Sequence, residues 1–143
     1  MRILVDADAC PSKNVIERAA KENGIEVIMF CDINHILTSE YSEILYFDSG
    51  YQSVDMKIIN AATKGDIVIS QDYGLASLVL GKGCLAISPK GFIYTNENID
   101  KLLLERHLSA KARKSKQRTK GPKKRTQDDE ERFYRNLMRL IKP

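Results

Sequence analysis

A three-layer α/β/α sandwich around a mainly parallel sheet is the fold this sequence predicts, and three observations predict it. Short apolar runs alternate along the first 95 residues with segments of helical periodicity. The runs Ile3-Leu4-Val5 and Ile67-Val68-Ile69 are apolar throughout rather than every second residue, as strands buried on both faces require. Gly24, Gly65 and Gly81 stand where the helical segments end, so the connections are short and the strands must run parallel through helical crossovers.

Taken in order, Ile3 to Val5 forms the first strand and Asp6 ends it. Pro11 and Ser12 open a helix that runs to about Asn23, where Gly24 stops it. Ile25 to Phe30, rich in β-branched and aromatic residues, is the second strand, and residues 32–43 fit either a short helix or an irregular loop. Ile44 to Phe47 is the third strand, ending at Asp48-Ser49-Gly50. From about Ser53 to Lys64 a helix places Val54, Ile58, Ala61 and Ala62 on one face. Asp66 starts the fourth strand, Ile67 to Ser70, which leads into Gln71-Asp72. Tyr73 to Leu80 gives a short helix and Cys84 to Ile87 the fifth strand.

The expected organisation is an α/β core over residues 1–95 and a helical extension over 96–143 that docks on it. Charge divides the same way. Residues 1–100 carry 8 Lys/Arg against 14 Asp/Glu, whereas residues 101–143 carry 15 against 5. Residues 111–125 hold nine Lys/Arg and no acid, a composition that no packed core can use and that suits a solvated arm facing a polyanion. Thr126 and Asp129 have the spacing of a capping box for a last helix, with Phe133, Leu137, Leu140 and Ile141 as its apolar stripe. Cys10, Cys31 and Cys84 form no CxxC pair, and His35 and His107 add no zinc spacing. Without a signal peptide or an apolar run of ~20 residues, a reduced, cytoplasmic protein is expected.

Ligands of open parallel sheets bind at the carboxyl ends of the strands. Asp6 ends the first strand, and Asp8 follows two residues later, so extended backbone would point both side chains the same way. Asp48 ends the third strand, Asp55 lies in the first turn of the next helix, and Asp72 follows the fourth strand. These five carboxylates are expected at one sheet edge, whereas Asp66, at the start of its strand, is expected ~20 Å away in a turn. Crowded carboxylates call for a counter-cation, and a hard ion such as Mg²⁺ or Mn²⁺ suits oxygen ligands. Ser12 and Lys13, at a helix N-terminus on the same edge, suit a phosphate. So do Arg113, Lys114, Lys116, Arg118, Lys120, Lys123, Lys124 and Arg125 of the basic arm.

With these residues in place, the chain resembles the YaiI/YqxD family of uncharacterised bacterial proteins, within the PIN-like nuclease superfamily. The resemblance rests on Val5-Asp6-Ala7-Asp8-Ala9-Cys10-Pro11, Asp48-x-Gly50 with Asp55, and Gly65-Asp66-Ile67-Val68 leading to Gln71-Asp72-Tyr73-Gly74-Leu75-Ala76. Arg106-His107 and Thr119-x-Gly121-Pro122 complete it. It implies a PIN-like fold whose acids hold Mg²⁺ or Mn²⁺ and cleave phosphodiester bonds, most often in RNA. By position it assigns Asp6, Asp55 and Asp72 to this role, with Asp8 an addition of the family. Two alternatives remain open: a nucleic-acid-binding protein without catalysis, and a haloacid-dehalogenase-type phosphatase in which Asp6 is the nucleophile and Asp8 the general acid.

Overall fold

Strand β1 (Arg2–Asp6) lies at the middle of the sheet, flanked on one side by β2 (Glu26–Asp32) and on the other by β4 (Ile67–Ile69), both parallel to it. The computed structural model describes residues 1–34, 36–48, 54–114 and 124–143. Beyond β2 lies β3 (Glu43–Phe47), and beyond β4 lies β5 (Leu85–Ile87), again parallel. A final strand, β6 (Ile93–Tyr94), pairs antiparallel with β5, giving the order β3-β2-β1-β4-β5-β6. The α/β/α prediction holds for this mainly parallel sheet. β6 was not foreseen, because two residues are too short to show periodicity.

The alternation of β1 divides its side chains between two cores. Ile3 and Val5 face helices α1 (Lys13–Asn23) and α5 (Gln127–Ile141), where they pack with Ile16, Ala19, Phe133 and Leu137. Leu4 faces the opposite layer with Ile58, Val79 and Ile99, from α2 (Val54–Ala61), α3 (Tyr73–Gly81) and α4 (Asn96–Lys114). All three β1 residues are fully buried, which explains why their run is apolar throughout.

Helix ends follow their local chemistry. Gly24 caps α1 at φ 65°, a left-handed conformation that costs glycine nothing, and its N–H satisfies carbonyls of the last turn. Thr126 and Asp129 form the reciprocal capping box at α5. Phe133 and Leu137 are then fully buried, each contributing roughly 1.5–3 kcal/mol by leaving water. Asp66 is more than a turn residue. It is 3% exposed, pairs with Arg2 Nη2 at 2.8 Å, and accepts from the Arg2 and Thr63 N–H groups. This clamp sits at the amino end of β1 and β4, opposite the edge where Asp6 emerges.

Candidate active site

The sheet order reverses between β1 and β4, the switch point at which open α/β sheets form their ligand crevice. Asp6 ends β1 on one side of this point, and Asp72 follows β4 on the other. A glycine-rich phosphate loop, the usual occupant of such a point in dinucleotide-binding folds, is absent, since no glycine occurs before Gly24. The chain offers carboxylates instead.

Asp72 is the N-cap of α3. Its Oδ1 accepts from the N–H groups of Gly74 (2.8 Å) and Leu75 (3.2 Å). Ser70, 2% exposed, ties this residue to Asp6: the Asp72 N–H donates to Ser70 Oγ (3.0 Å), and Ser70 Oγ donates to Asp6 Oδ2 (3.2 Å). Asp55, in the first turn of α2, lies close enough to Asp72 for the two carboxyls to share a hydrogen bond when one of them is protonated. Arg106 of α4 reaches the same group, with Nη1 3.5 Å from Asp72 Oδ1. Asp6, Gln71, Asp72, Tyr73 and Arg106 together line an open cavity of about 300 Å³.

Electrostatics separates the three acids. Burial pushes the Asp55 carboxyl up to about 6, aided by the hydrogen bond and charge of Asp72 and by Asp6, with Arg106 opposing. Burial also raises Asp6, against the Ser70 hydrogen bond, and the charges of Asp8 and Asp72 add to the rise. For Asp72 burial works upward too, but the Leu75 N–H, the Asp55 hydrogen bond, the Gly74 N–H and the Arg106 charge outweigh it, and the net shift is downward. Asp55 is therefore the proton-bearing partner of an Asp55–Asp72 pair, with Asp6 beside it.

Two expected members of the cluster are placed differently from the expectation. Residues Ala7–Ala9 form a 3₁₀ turn rather than extended backbone, so the period-2 alternation that would align Asp8 with Asp6 is broken. The Asp8 carboxylate turns to the end of β2, accepting from the Asp32 N–H at 3.1 and 3.2 Å. Asp48 is exposed and follows the edge strand β3. The register sets Asp6 level with Phe30 and Phe30 level with Leu45. Asp48 thus lies two strands to the side and three residues, ~10 Å, farther along.

The basic residues divide as well. Ser12 is 2% exposed, with Oγ 3.5 Å from Glu130 Oε1, so its hydroxyl faces α5. Lys13 opens α1 close enough to Cys10 and Cys31 to lower the pKa of both thiols, although burial dominates and raises them. Arg125 Nε lies 3.6 Å from Glu130 Oε1 with its side chain only 16% exposed, a structural anchor for α5. Lys124 is exposed. Lys116, Arg118, Lys120 and Lys123 lie outside the described residues, as do the side chains of Arg113 and Lys114. Ser70 and Arg106 escaped functional assignment from sequence. Ser70 reads as the end of an apolar strand, and Arg106 carried a signal only as part of the Arg106-His107 family signature.

A family profile described as "Uncharacterized BCR, YaiI/YqxD family" matches residues 4–143. The chain belongs to the YaiI/YqxD family. The family match takes in every residue of the acidic site, from Asp6 to Arg106. Similar proteins include UPF0178 proteins of Clostridium tetani, 66% identical over 99% of this chain and 97% of the relative, and Clostridium novyi, 62% identical over 99% and 95%. Another, from Clostridium acetobutylicum, is 50% identical over 99% and 97%. Among solved structures, Rae1 (YacP) from Bacillus subtilis matches with a TM-score of 0.47 and 21% identity, covering 81% of this chain and 84% of that one.

Whether this YaiI/YqxD site suits a divalent cation can be judged from its donors. Among the described residues no three His, Cys, Asp or Glu side chains stand in a ready-made metal cage. The Asp72 and Asp6 charges both act on Asp55 and, with burial, hold its carboxyl up at about 6. An all-carboxylate set that needs a proton to relieve its repulsion is chemically suited to a hard divalent ion in the proton's place. No described helix is long and apolar enough to cross a membrane.

Proposed function

We propose that this protein is a divalent-metal-dependent nuclease that hydrolyses phosphodiester bonds in RNA. One observation supports the reading: Asp6 and Asp72 flank the switch point of the sheet, with Arg106 against Asp72 and Asp55 near enough to feel both acids. Asp6, Asp55 and Asp72 would hold Mg²⁺ or Mn²⁺. Such an ion, when bound, supplies charge compensation for the phosphate and a water of lowered pKa.

The protein's own groups then have distinct tasks. Asp72 is fixed by its two backbone donors, and Ser70 fixes Asp6 to it, so the two acids keep their spacing without reorganisation. Arg106, 57% exposed on its side chain and 3.5 Å from Asp72, would counter the charge of a phosphate bound there. Lys and Arg residues of the 111–125 segment would hold flanking phosphates and make binding weaken with salt.

The test is cleavage of end-labelled single-stranded RNA in Mn²⁺ or Mg²⁺. Wild type is expected to cut and to stop in EDTA, Asp6→Asn and Asp72→Asn to lose more than about 100-fold, and Asp48→Asn to cut normally. Undiminished cleavage by Asp6→Asn would mean that the acidic site is not the active site. Salt-dependent RNA binding without any hydrolysis would select the non-catalytic alternative.

A further inference from the structure

A second cavity, of about 320 Å³, adjoins the acidic site. Tyr73, Phe92 and Tyr94 form its aromatic wall, and Gln71, Lys90 and Leu102 also line it. Gln71 and Tyr73 line the acidic cavity as well, so the two are neighbours. We propose that this cleft is a nucleobase subsite, holding the base next to the phosphodiester presented to Asp6, Asp55 and Asp72; this rests on the nuclease reading above.

Four features favour a base over any other apolar group. Phe92 is 46% exposed, and its ring meets Tyr94 edge-on at 5.6 Å, while Tyr73 meets Tyr94 edge-on at 5.8 Å. Tyr94 is 3% exposed, and its hydroxyl donates to the carbonyl of Ser70, the residue that also positions Asp6. A buried brace thus links the aromatic wall to the catalytic carboxylates, as alignment of a base with its own phosphate requires. The exposed Lys90 gives the rim a positive charge for a neighbouring phosphate. Finally, the volume lies at the small end of ligand sites, ~300–1,000 Å³, a size for one unstacked base rather than a paired duplex. The expected substrate is therefore single-stranded.

The experiment compares two labelled tetranucleotides by fluorescence anisotropy in Ca²⁺, one of ordinary RNA and one with the same phosphates but abasic sugars. Wild type should prefer the base-bearing strand by about tenfold or more. Phe92→Tyr should keep that preference. Phe92→Ala and the bulk-preserving Phe92→Leu should both lose most of it. Lys90→Ala should weaken both strands alike and reduce the salt dependence. Equal affinity of wild type for the two strands, or full preference in Phe92→Leu, overturns the subsite even if Mn²⁺-dependent cleavage is observed. Conversely, a preference erased in Phe92→Leu with no cleavage in any metal upholds the subsite and removes the nuclease reading.

Discussion

A carboxyl group beside a carboxylate can be neutral, shared or repelled, and Asp55 passes between these states near neutral pH. Its pKa lies at about 6 because burial, the Asp72 hydrogen bond and the nearby Asp6 all disfavour its charge. A folded pKa above the ordinary 3.8 means that this group supports the fold at low pH and that the support is lost as pH rises through about 6. Asn at this position retains an N–H donor for Asp72 and carries no charge. Asp55→Asn is therefore expected to raise the melting temperature of the metal-free protein at pH 8, to raise it by about half as much at pH 5, and to abolish cleavage. Thermal unfolding in EDTA at the two pH values checks this. A lower melting temperature at pH 8 would show that Asp55 is not under electrostatic stress. Such a gain in stability with loss of activity is the usual mark of a site under strain for function. At this scale the sequence makes Asp6, Asp55 and Asp72 legible, because topology alone brings strand ends and a helix start to one edge. The direction of the Asp8 carboxylate is not legible, because it depends on a three-residue turn, and the position of Asp48 depends on strand order.

Among the elements, β4 is only three residues long, yet it must hold Asp72 level with the end of β1. The Arg2–Asp66 pair helps at its other end, joining the first residue of β1 to the residue before β4. Burial tends to raise the Asp66 pKa, but the Arg2 hydrogen bond, the two Thr63 hydrogen bonds and the Arg2 charge reverse this, so the net shift is downward. A depressed folded pKa gives stability that is present above 3.8 and lost as pH falls through the folded value. Replacing Asp66 by Asn should cost ~2 kcal/mol at neutral pH and flatten the acid limb of the stability profile. Urea unfolding between pH 2.5 and 7 measures both effects, and a variant with the same acid limb as wild type would assign that limb elsewhere. The elements themselves are largely readable from sequence, since α1, α3 and α5 carry their caps in Gly24, Asp72 and Thr126-x-x-Asp129. β6 is not, because its two residues are too few to show an alternation.

Across the whole molecule, α5 completes a layer that the first 95 residues leave open. Phe133 and Leu137 share one core with Ile3, Val5 and Ile16, and Asn136 Nδ2 donates to the Gly91 carbonyl at 2.7 Å. The α5 backbone presses closely on the β5–β6 turn. A Cβ on Gly91, whose φ is 90°, would stand 2.8 Å from the Phe133 nitrogen. Gly91→Ala thus meets both backbone strain and a clash, and should cost more than ~1 kcal/mol. Phe133→Ala leaves a cavity under the same helix and should cost ~3–5 kcal/mol. Because both substitutions loosen one contact, their effects should not add. The Gly91→Ala clash is relieved once α5 can shift, so the double variant should lose less than the sum of the two single losses. Urea midpoints of the four proteins, at an unchanged slope, give the coupling directly. Strict additivity would mean that α5 does not rest on the β5–β6 turn. Strong coupling would show that α5 and the β5–β6 turn support one another as parts of one core.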